Sequence, residues 1–154
     1  EWVTGLDLVK EQLKIASGES LSFSQKDVKL KGHAIECRIN AENPWKNFRP
    51  SPGMITDLHL PGGQGIRVDT GIYSGYQIPP YYDSMLAKLI VYGEDRQEAI
   101  AKMKSALGEI IIQGVDTNID YQFDIMNDQD YQNGVFDIGF LESHQIGGVK
   151  VNEA

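Results

Sequence analysis

The chain has 154 residues, of which 41% are hydrophobic and 23% are charged, and its formal net charge is −8. These proportions are typical of a globular protein, and no run approaches the roughly 18–20 apolar residues of a membrane-spanning helix. No cluster of Lys and Arg suggests a nucleic-acid-binding surface, so we expect neither a membrane nor a nucleic acid as a partner. Cys37 is the only cysteine, which excludes an internal disulfide and favours a cytoplasmic location. The three histidines lack metal-site spacing, so we predict no metal ligands.

The first segment of the chain has the pattern of a helix followed by a linker. Residues 5–17 place apolar side chains on one face, Thr4 is the predicted N-cap, and Gly18 is the predicted terminator. Residues 18–31 are polar and predict a connection. Because the chain begins with Glu1 rather than Met, we expect it to be part of a longer protein.

The stretch GHAIECRINAE, over residues 32–42, alternates between apolar and polar side chains and predicts a strand with one buried face. Cys37 lies on the apolar face, so we expect a packed thiol rather than a nucleophile. The opposite face places Arg38 between Glu36 and Asn40, which could brace the guanidinium from either side because residues two apart share a face at roughly 6.5–7 Å.

The middle of the chain predicts further strands. Residues 44–53 are proline-rich and predict a loop without regular structure. Residues 54–60 and 65–69 suit two strands joined by a hairpin turn at PGGQG, and residues 85–93 suit a mostly apolar strand.

The last third of the chain predicts helices. One helix begins after Asp95, with a buried stripe that extends to Ile110 and Ile111. A second opens at Asp116-Thr117-Asn118, with Ile119, Phe123 and Met126 directed inward, and a short one follows near VFDIGFLES. The order of elements predicts an α+β fold in which helices flank an antiparallel sheet.

Two positions could contribute chemistry. Arg38 is a permanent cation with five donors, and it could stabilise negative charge that develops during a reaction; the alternative is a solvated strand with mixed charges. Asp83 lies where the loop PPYYDS meets a strand, so it could belong to a site, or it could bind nearby backbone amides in a structural turn.

Several long stretches occur in one order along the chain: GHAIECRINAENP, FRPSPGMITDLHLPGGQGIRVD and YQIPPYYDSMLAKLIVYGEDRQEAIAKMKSALGEIIIQGVDTNID. Together they resemble the carboxy-terminal part of biotin carboxylase, the ATP-grasp component of acetyl-CoA carboxylase and its relatives. The resemblance extends from Glu1 to about Ser143. It implies that residues 1–31 are the last helix and linker of the ATP-grasp region, that residues 32–143 are the biotin carboxylase C-terminal domain, and that residues 144–154 are a flexible tail.

The resemblance also implies a function. Enzymes of the family use ATP and Mg²⁺ to activate bicarbonate, and they carboxylate biotin that is attached to a carrier protein. Arg38 matches the arginine that contacts the biotin ureido oxygen and stabilises the enolate. Asp83 matches an aspartate near the same pocket, where we expect it to help orient Arg38, and Ile138 matches an isoleucine that packs on adenine.

The expected partners are the biotin carboxyl carrier protein, carboxyltransferase subunits and a second copy of the chain. In bacterial members the stretch after PGG contributes to a homodimer; here Gln64 stands where an aromatic is familiar, and Arg67 remains. The resemblance favours the acetyl-CoA carboxylase of fatty-acid synthesis. The alternatives are the same domain of pyruvate carboxylase or another acyl-CoA carboxylase, and a non-catalytic interaction module.

Most of the family's catalytic groups, including its phosphate-binding and Mg²⁺-binding residues, match positions before Glu1. We therefore expect the isolated chain to lack activity.

Overall fold

The main sheet has three antiparallel strands, and its central strand is β8 (Met85–Gly93). Strand β1 (His33–Asn40) pairs along one side of β8, and β6 (Ile66–Thr70) pairs along the other. In the computed structural model, which describes residues 1–148, Arg38 lies opposite Lys88 in this register. The alternation predicted for residues 32–42 is confirmed, because the odd-numbered positions Ile35, Cys37 and Ile39 are buried.

Shorter strands form two-stranded ladders beside the main sheet. They pair β2 (Glu42–Asn43) with β3 (Arg49–Pro50), β4 (Gly53–Met54) with β7 (Gln77–Ile78), and β5 (Asp57–His59) with β9 (Ile111–Gln113). The helices are α1 (Leu8–Ala16), α2 (Arg96–Glu109), α3 (Ile119–Asn127), α4 (Gln129–Asn133) and α5 (Phe140–Ser143), with single 3₁₀ turns at Gln25–Asp27 and Pro44–Lys46.

Helix α2 packs on the main sheet and forms the centre of the core. Asp95 caps it by accepting a hydrogen bond from Glu98 N at 2.9 Å, as the sequence predicts. Its buried side chains meet the apolar faces of β1 and β8, and the fully buried members of this core are Ile39, Ile55, Leu89, Val91, Ala99, Met103 and Ala106. The predicted α+β fold with an antiparallel sheet is confirmed.

Helix α1 differs from its prediction in its start and in its surroundings. Its N-cap is Asp7, which accepts from Lys10 N at 2.9 Å, whereas the Thr4 hydroxyl donates to Glu1 O. Val9 and Leu13, on the predicted apolar face, are 60% and 68% exposed. The spacing therefore identifies the apolar side of α1, but the described residues do not cover it.

The prediction of a hairpin at PGGQG is wrong. β5 pairs with β9 and β6 pairs with β8, so the turn connects two different sheets. Ile111 belongs to β9 and not to the predicted helix, because α2 ends at Glu109. Residues 44–53, predicted to be irregular, include the 3₁₀ turn and β3.

The prediction that Phe123 is directed inward from α3 needs correction. Phe123 is 37% exposed, and Tyr121 and Ile125 are among the residues of α3 that are buried. In the predicted flexible tail, Ile146 is buried and His144 binds Asp130 at 3.0 Å, so this part of the tail packs on the domain. Residues 149–154 lie outside the described part of the chain. Among residues 1–148, no helix combines the length and the apolar character needed to cross a membrane.

Candidate functional site

Arg38 lies in the middle of β1 and points away from the core. Its side chain is 68% exposed, and its Nε lies 3.4 Å from Glu36 Oε1. This contact is long for a charge-assisted hydrogen bond, so Glu36 restrains the guanidinium only weakly. Most of the donors of Arg38 therefore face solvent, where an anionic group could reach them.

Asn118 fixes the backbone of β1 from Arg38 to Asn40. Its Nδ2 donates to Arg38 O at 3.0 Å, and its Oδ1 accepts from Asn40 N at 2.8 Å. The Asn118 backbone N–H also donates to Asn40 O at 3.2 Å. These bonds satisfy the side of β1 that β8 does not pair, and Asn118 is itself only 5% exposed. Asn118 thus holds rigid the strand segment that presents Arg38.

The sequence does not predict this role of Asn118. The capping pattern predicts Asn118 only as part of a helix start, and Asn118 lies 78 residues from Asn40 along the chain. Such a pattern does not specify which distant strand an Asn amide will reach. An unpaired strand edge opposite a buried amide is recognisable only once the fold is known.

The predicted brace from Asn40 is wrong. Asn40 Nδ2 donates to Glu42 Oε1 at 3.3 Å rather than approaching Arg38. The same Glu42 oxygen accepts a hydrogen bond from the Ser84 hydroxyl. Asn40 and Glu42 therefore fasten the end of β1 to the loop before β8.

Asp83 lies in that loop and stabilises the start of β8. Its Oδ1 accepts a hydrogen bond from Met85 N at 2.8 Å. Among residues 1–148, no hydrogen bond or ion pair joins Asp83 to Arg38, and the preceding Tyr81 and Tyr82 are largely exposed. The local geometry is that of a side chain binding a nearby backbone amide.

Ile138 lies on the loop 134–139, between α4 and α5, and its side chain is fully exposed. It lines a groove of about 300 Å³ with Met126, Phe136 and Leu141, and the wall provided by β1 includes Glu36. Glu36 lines this groove and also contacts the Arg38 guanidinium at 3.4 Å, whereas Arg38 itself does not line the groove.

Cys37 lines the same groove, but its chemistry does not suit a nucleophile. The residue is 3% exposed, and burial, with a smaller contribution from the charge of Glu36, raises the pKa of the thiol to about 12. A thiol of this kind remains protonated at neutral pH. The prediction of a packed core cysteine is confirmed.

Other charged groups near the site already have partners. Arg67, on the face of β6, forms ion pairs with Asp69 at 2.7 Å and with Glu1 at 3.3 Å. Asp128, Asp130 and His144 have ligand atoms within 4.8 Å of one another, close enough to share a cation. A helix cap and an ion pair account for this second cluster, because Asp128 caps α4 and His144 binds Asp130.

Comparison with known families identifies the architecture that presents Arg38 and Ile138. Residues 36–143 match the family described as the biotin carboxylase C-terminal domain. The chain belongs to this family. The matched range includes the part of β1 that bears Arg38, the Asp83 loop and Ile138.

Individual relatives extend the similarity beyond that range. The chain is 55% identical to a pyruvate carboxylase subunit of Methanothermobacter thermautotrophicus over 96% of its own length and 30% of that protein. It is also 55% identical to biotin carboxylase 1 of Bacillus subtilis, over 96% of the chain and 33% of the relative. The chain thus spans about a third of the curated relatives that it matches.

A solved structure gives the same result for the fold. The crystal structure of the biotin carboxylase domain dimer of 2-oxoglutarate carboxylase from Hydrogenobacter thermophilus, in complex with MgADP, ADP and bicarbonate, superposes with a TM-score of 0.91. It is 49% identical, and the match covers 94% of this chain and 32% of that one. In that structure, the matching region is therefore part of a chain that is about three times as long.

Proposed function

We propose that the chain is the C-terminal part of an ATP-dependent biotin carboxylase, which carboxylates carrier-bound biotin with bicarbonate. The observation that carries this proposal is Arg38, an accessible permanent cation on a strand whose backbone is fixed by Asn118. The names of the relatives support the reaction class, since biotin carboxylases are ATP-dependent ligases.

Arg38 acts on the biotin ureido group in this proposal. Removal of the N1 proton from biotin leaves negative charge on the ureido oxygen. A guanidinium cannot lose its own charge, and its rigid strand needs no rearrangement to meet that oxygen. Arg38 thus stabilises a charge that is absent from the ground state, which is the requirement for accelerating the step.

Asp83 serves this site as a positioning residue. Its carboxylate holds the first residue of β8, and β8 pairs with β1 so that Lys88 lies opposite Arg38. Asp83 therefore orients Arg38 through the paired strands and not through a direct contact.

Ile138 provides an apolar contact for the adenine of ATP. The side chain is fully exposed beside a groove lined by Met126, Phe136 and Leu141, which suits a flat apolar ring. ATP, with Mg²⁺, supplies the phosphoryl group that activates bicarbonate. On this chain, Ile138 contacts the adenine ring and Arg38 binds the negatively charged ureido oxygen. The residues that bind the phosphates and the metal ion come from the part of the relatives that the chain does not span.

The proposed partners follow from the reaction. They are a biotin carboxyl carrier protein, carboxyltransferase subunits and a second copy of the domain, in a cytoplasmic enzyme. The dimer has support from the Hydrogenobacter thermophilus domain, whose structure is described as a dimer. On this chain we assign the dimer surface to the strand that bears Arg67.

Acetyl-CoA carboxylase, and thus fatty-acid synthesis, is the proposed setting. Pyruvate carboxylase is the second candidate, because a protein of that name from Methanothermobacter thermautotrophicus is 55% identical to the chain. The two enzymes differ in the carboxyltransferase that receives the carboxyl group from carboxybiotin. The acceptor, acetyl-CoA or pyruvate, that is carboxylated by the purified assembly decides between them.

A chimaera tests the proposed reaction. The chain replaces the matching part of Bacillus subtilis biotin carboxylase 1, to which it is 55% identical, and ADP release is measured with free biotin and bicarbonate. We expect ADP release that depends on both substrates. A folded chimaera that binds ATP but shows no such dependence would contradict the proposal.

A further inference from the structure

Arg96 occupies a position that helix electrostatics disfavours. It is the first residue of α2, where the helix dipole favours acidic side chains over cations. Its Nε is buried and has no hydrogen-bond partner within residues 1–148, which adds a cost. The contacts that compensate for this position lie outside α2, in β1, α4 and loop 134–139.

The guanidinium of Arg96 joins three elements. Its Nη2 donates to Tyr131 O in α4, and its Nη1 lies 3.4 Å from His33 Nε2 at the start of β1. Its central carbon lies 4.8 Å from the centre of the Tyr131 ring and 5.3 Å from that of the Phe136 ring. Both distances are within the range of cation–π attraction.

Phe136 transmits this contact to the loop that bears Ile138. Its ring stacks on that of Tyr131 with centroids 5.2 Å apart and planes inclined by 24°. Gly134 has a φ of 76° and turns the chain back over α4, so that Val135 N donates to Asp130 O at 2.8 Å. Loop 134–139 is thereby anchored by Phe136, while Ile138 itself remains fully exposed.

We propose that Arg96 is a positioning residue for nucleotide binding, because its guanidinium seats loop 134–139 and so fixes Ile138 at the groove. This inference rests on the adenine contact proposed for Ile138. Arg96 touches neither the nucleotide nor the reacting atoms, so it affects the affinity for ATP and not the rate of the chemical step.

Arg96→Lys is the test substitution, since lysine keeps the charge but loses the planar fork that stacks on the rings and reaches the carbonyl. In the chimaera we expect the KM for ATP to rise by about fivefold to thirtyfold, the range that one or two lost contacts of this kind produce. We expect kcat and the KM values for bicarbonate and biotin to stay within about twofold, because those substrates do not use Ile138. Arg49→Lys makes the same chemical change at an exposed arginine and serves as the control.

Variants of Phe136 test whether Arg96 acts on the KM for ATP through the Phe136 ring. Phe136→Leu removes the ring under Arg96, and because Phe136 also lines the groove it should raise the KM for ATP at least as much as Arg96→Lys does. The double variant of Arg96→Lys with Phe136→Leu should raise the KM for ATP by less than the product of the two single increases, since both substitutions disrupt the same contact. A multiplicative effect would show that the two residues act separately and would overturn the proposal.

Ile138→Ala separates failure of this inference from failure of the proposed adenine contact. If Ile138→Ala raises the KM for ATP and Arg96→Lys does not, the positioning role of Arg96 is wrong and the adenine contact stands. If neither variant changes the KM for ATP, the adenine contact is wrong and the inference fails with it. A fall in kcat that accompanies loss of thermal stability in Arg96→Lys would assign Arg96 to folding alone.

Discussion

At the scale of single residues, the alternation of β1 predicted the direction of each side chain. The period-two pattern put Cys37 in the core and Arg38 outside, and both placements are confirmed. The pattern could not predict the hydrogen bonds of Asn40 or the role of Asn118. A short polar side chain has several partners within reach, and the fold decides which of them is present.

Asn118→Ala tests how much the hydrogen bonds from Asn118 to the edge of β1 stabilise the fold. The substitution removes the hydrogen bonds of Asn118 to Arg38 O and Asn40 N in a partly buried setting, so we expect the free energy of unfolding of the chain to fall by about 2 kcal/mol. Urea denaturation measures the change. Asn127→Ala removes an exposed Asn bonded within its own helix and should cost less than about 0.5 kcal/mol. Equal losses in the two variants would show that Asn118 has no special role.

Cys37 provides a test with a chemical probe and with pH. Because its pKa is raised to about 12, we expect the native thiol to resist alkylation at pH 8 and to react after unfolding in urea. The raised pKa also means that Cys37 stabilises the fold fully below its ordinary pKa of about 9, and that this contribution declines as the pH rises towards 12. Rapid labelling of the folded chain would contradict the assigned burial.

At the scale of elements, helices and long strands were predicted well, but short strand pairings were not. The ladder of β5 with β9 joins segments far apart in sequence, and local turn chemistry at PGGQG favoured a hairpin that does not form. Helix α1 shows the converse: its spacing is helical, but its apolar side chains stay exposed in the described chain. Periodicity reports which face is apolar and not what covers it.

Glu11 provides a pH test for the attachment of α1. Its carboxylate accepts hydrogen bonds from Lys14 Nζ at 2.7 Å, from Ser22 Oγ at 2.7 Å and from Ser22 N at 3.1 Å, and these lower its pKa from 4.5 to about 2. A lowered pKa means that this attachment is fully present above pH 4.5 and is lost as the pH falls through about 2.

The amide resonance of Ser22 reports this titration directly. We expect its chemical shift to change with a midpoint of about 2, and we expect Glu11→Gln to abolish the change. Glu19→Gln, a nearby exposed carboxylate, should leave the midpoint in place. A midpoint of 4.5 would show that the contacts of Glu11 are not formed in solution.

At the scale of the whole molecule, the fold and the family were predictable because long motifs occur in a fixed order. The site was predictable only in part. Glu36 lines the groove beside Ile138 and contacts Arg38, whereas Asp83 stabilises a strand end without touching Arg38. The chain spans about a third of the relatives that it matches, and in the proposed enzyme the exposed face of α1 packs on the part that those relatives add.

The isolated chain tests whether the residues that bind phosphate and metal lie outside it. We expect no ATP hydrolysis that depends on biotin and bicarbonate, because the chain offers an arginine and an apolar contact but not the proposed phosphate and metal ligands. ADP release with and without each substrate measures this. A dependence above background in the purified chain would place the full catalytic apparatus within these 154 residues.

The most direct test of the central claim compares Arg38→Ala with Arg49→Ala in the chimaera. Arg38 is exposed, so we expect its removal to leave the thermal stability within a degree or two while reducing biotin-dependent ADP release by about 100-fold or more, as for the loss of a group that stabilises an oxyanion. Arg49→Ala should retain nearly full activity. Undiminished biotin carboxylation by a folded Arg38→Ala enzyme would contradict the account.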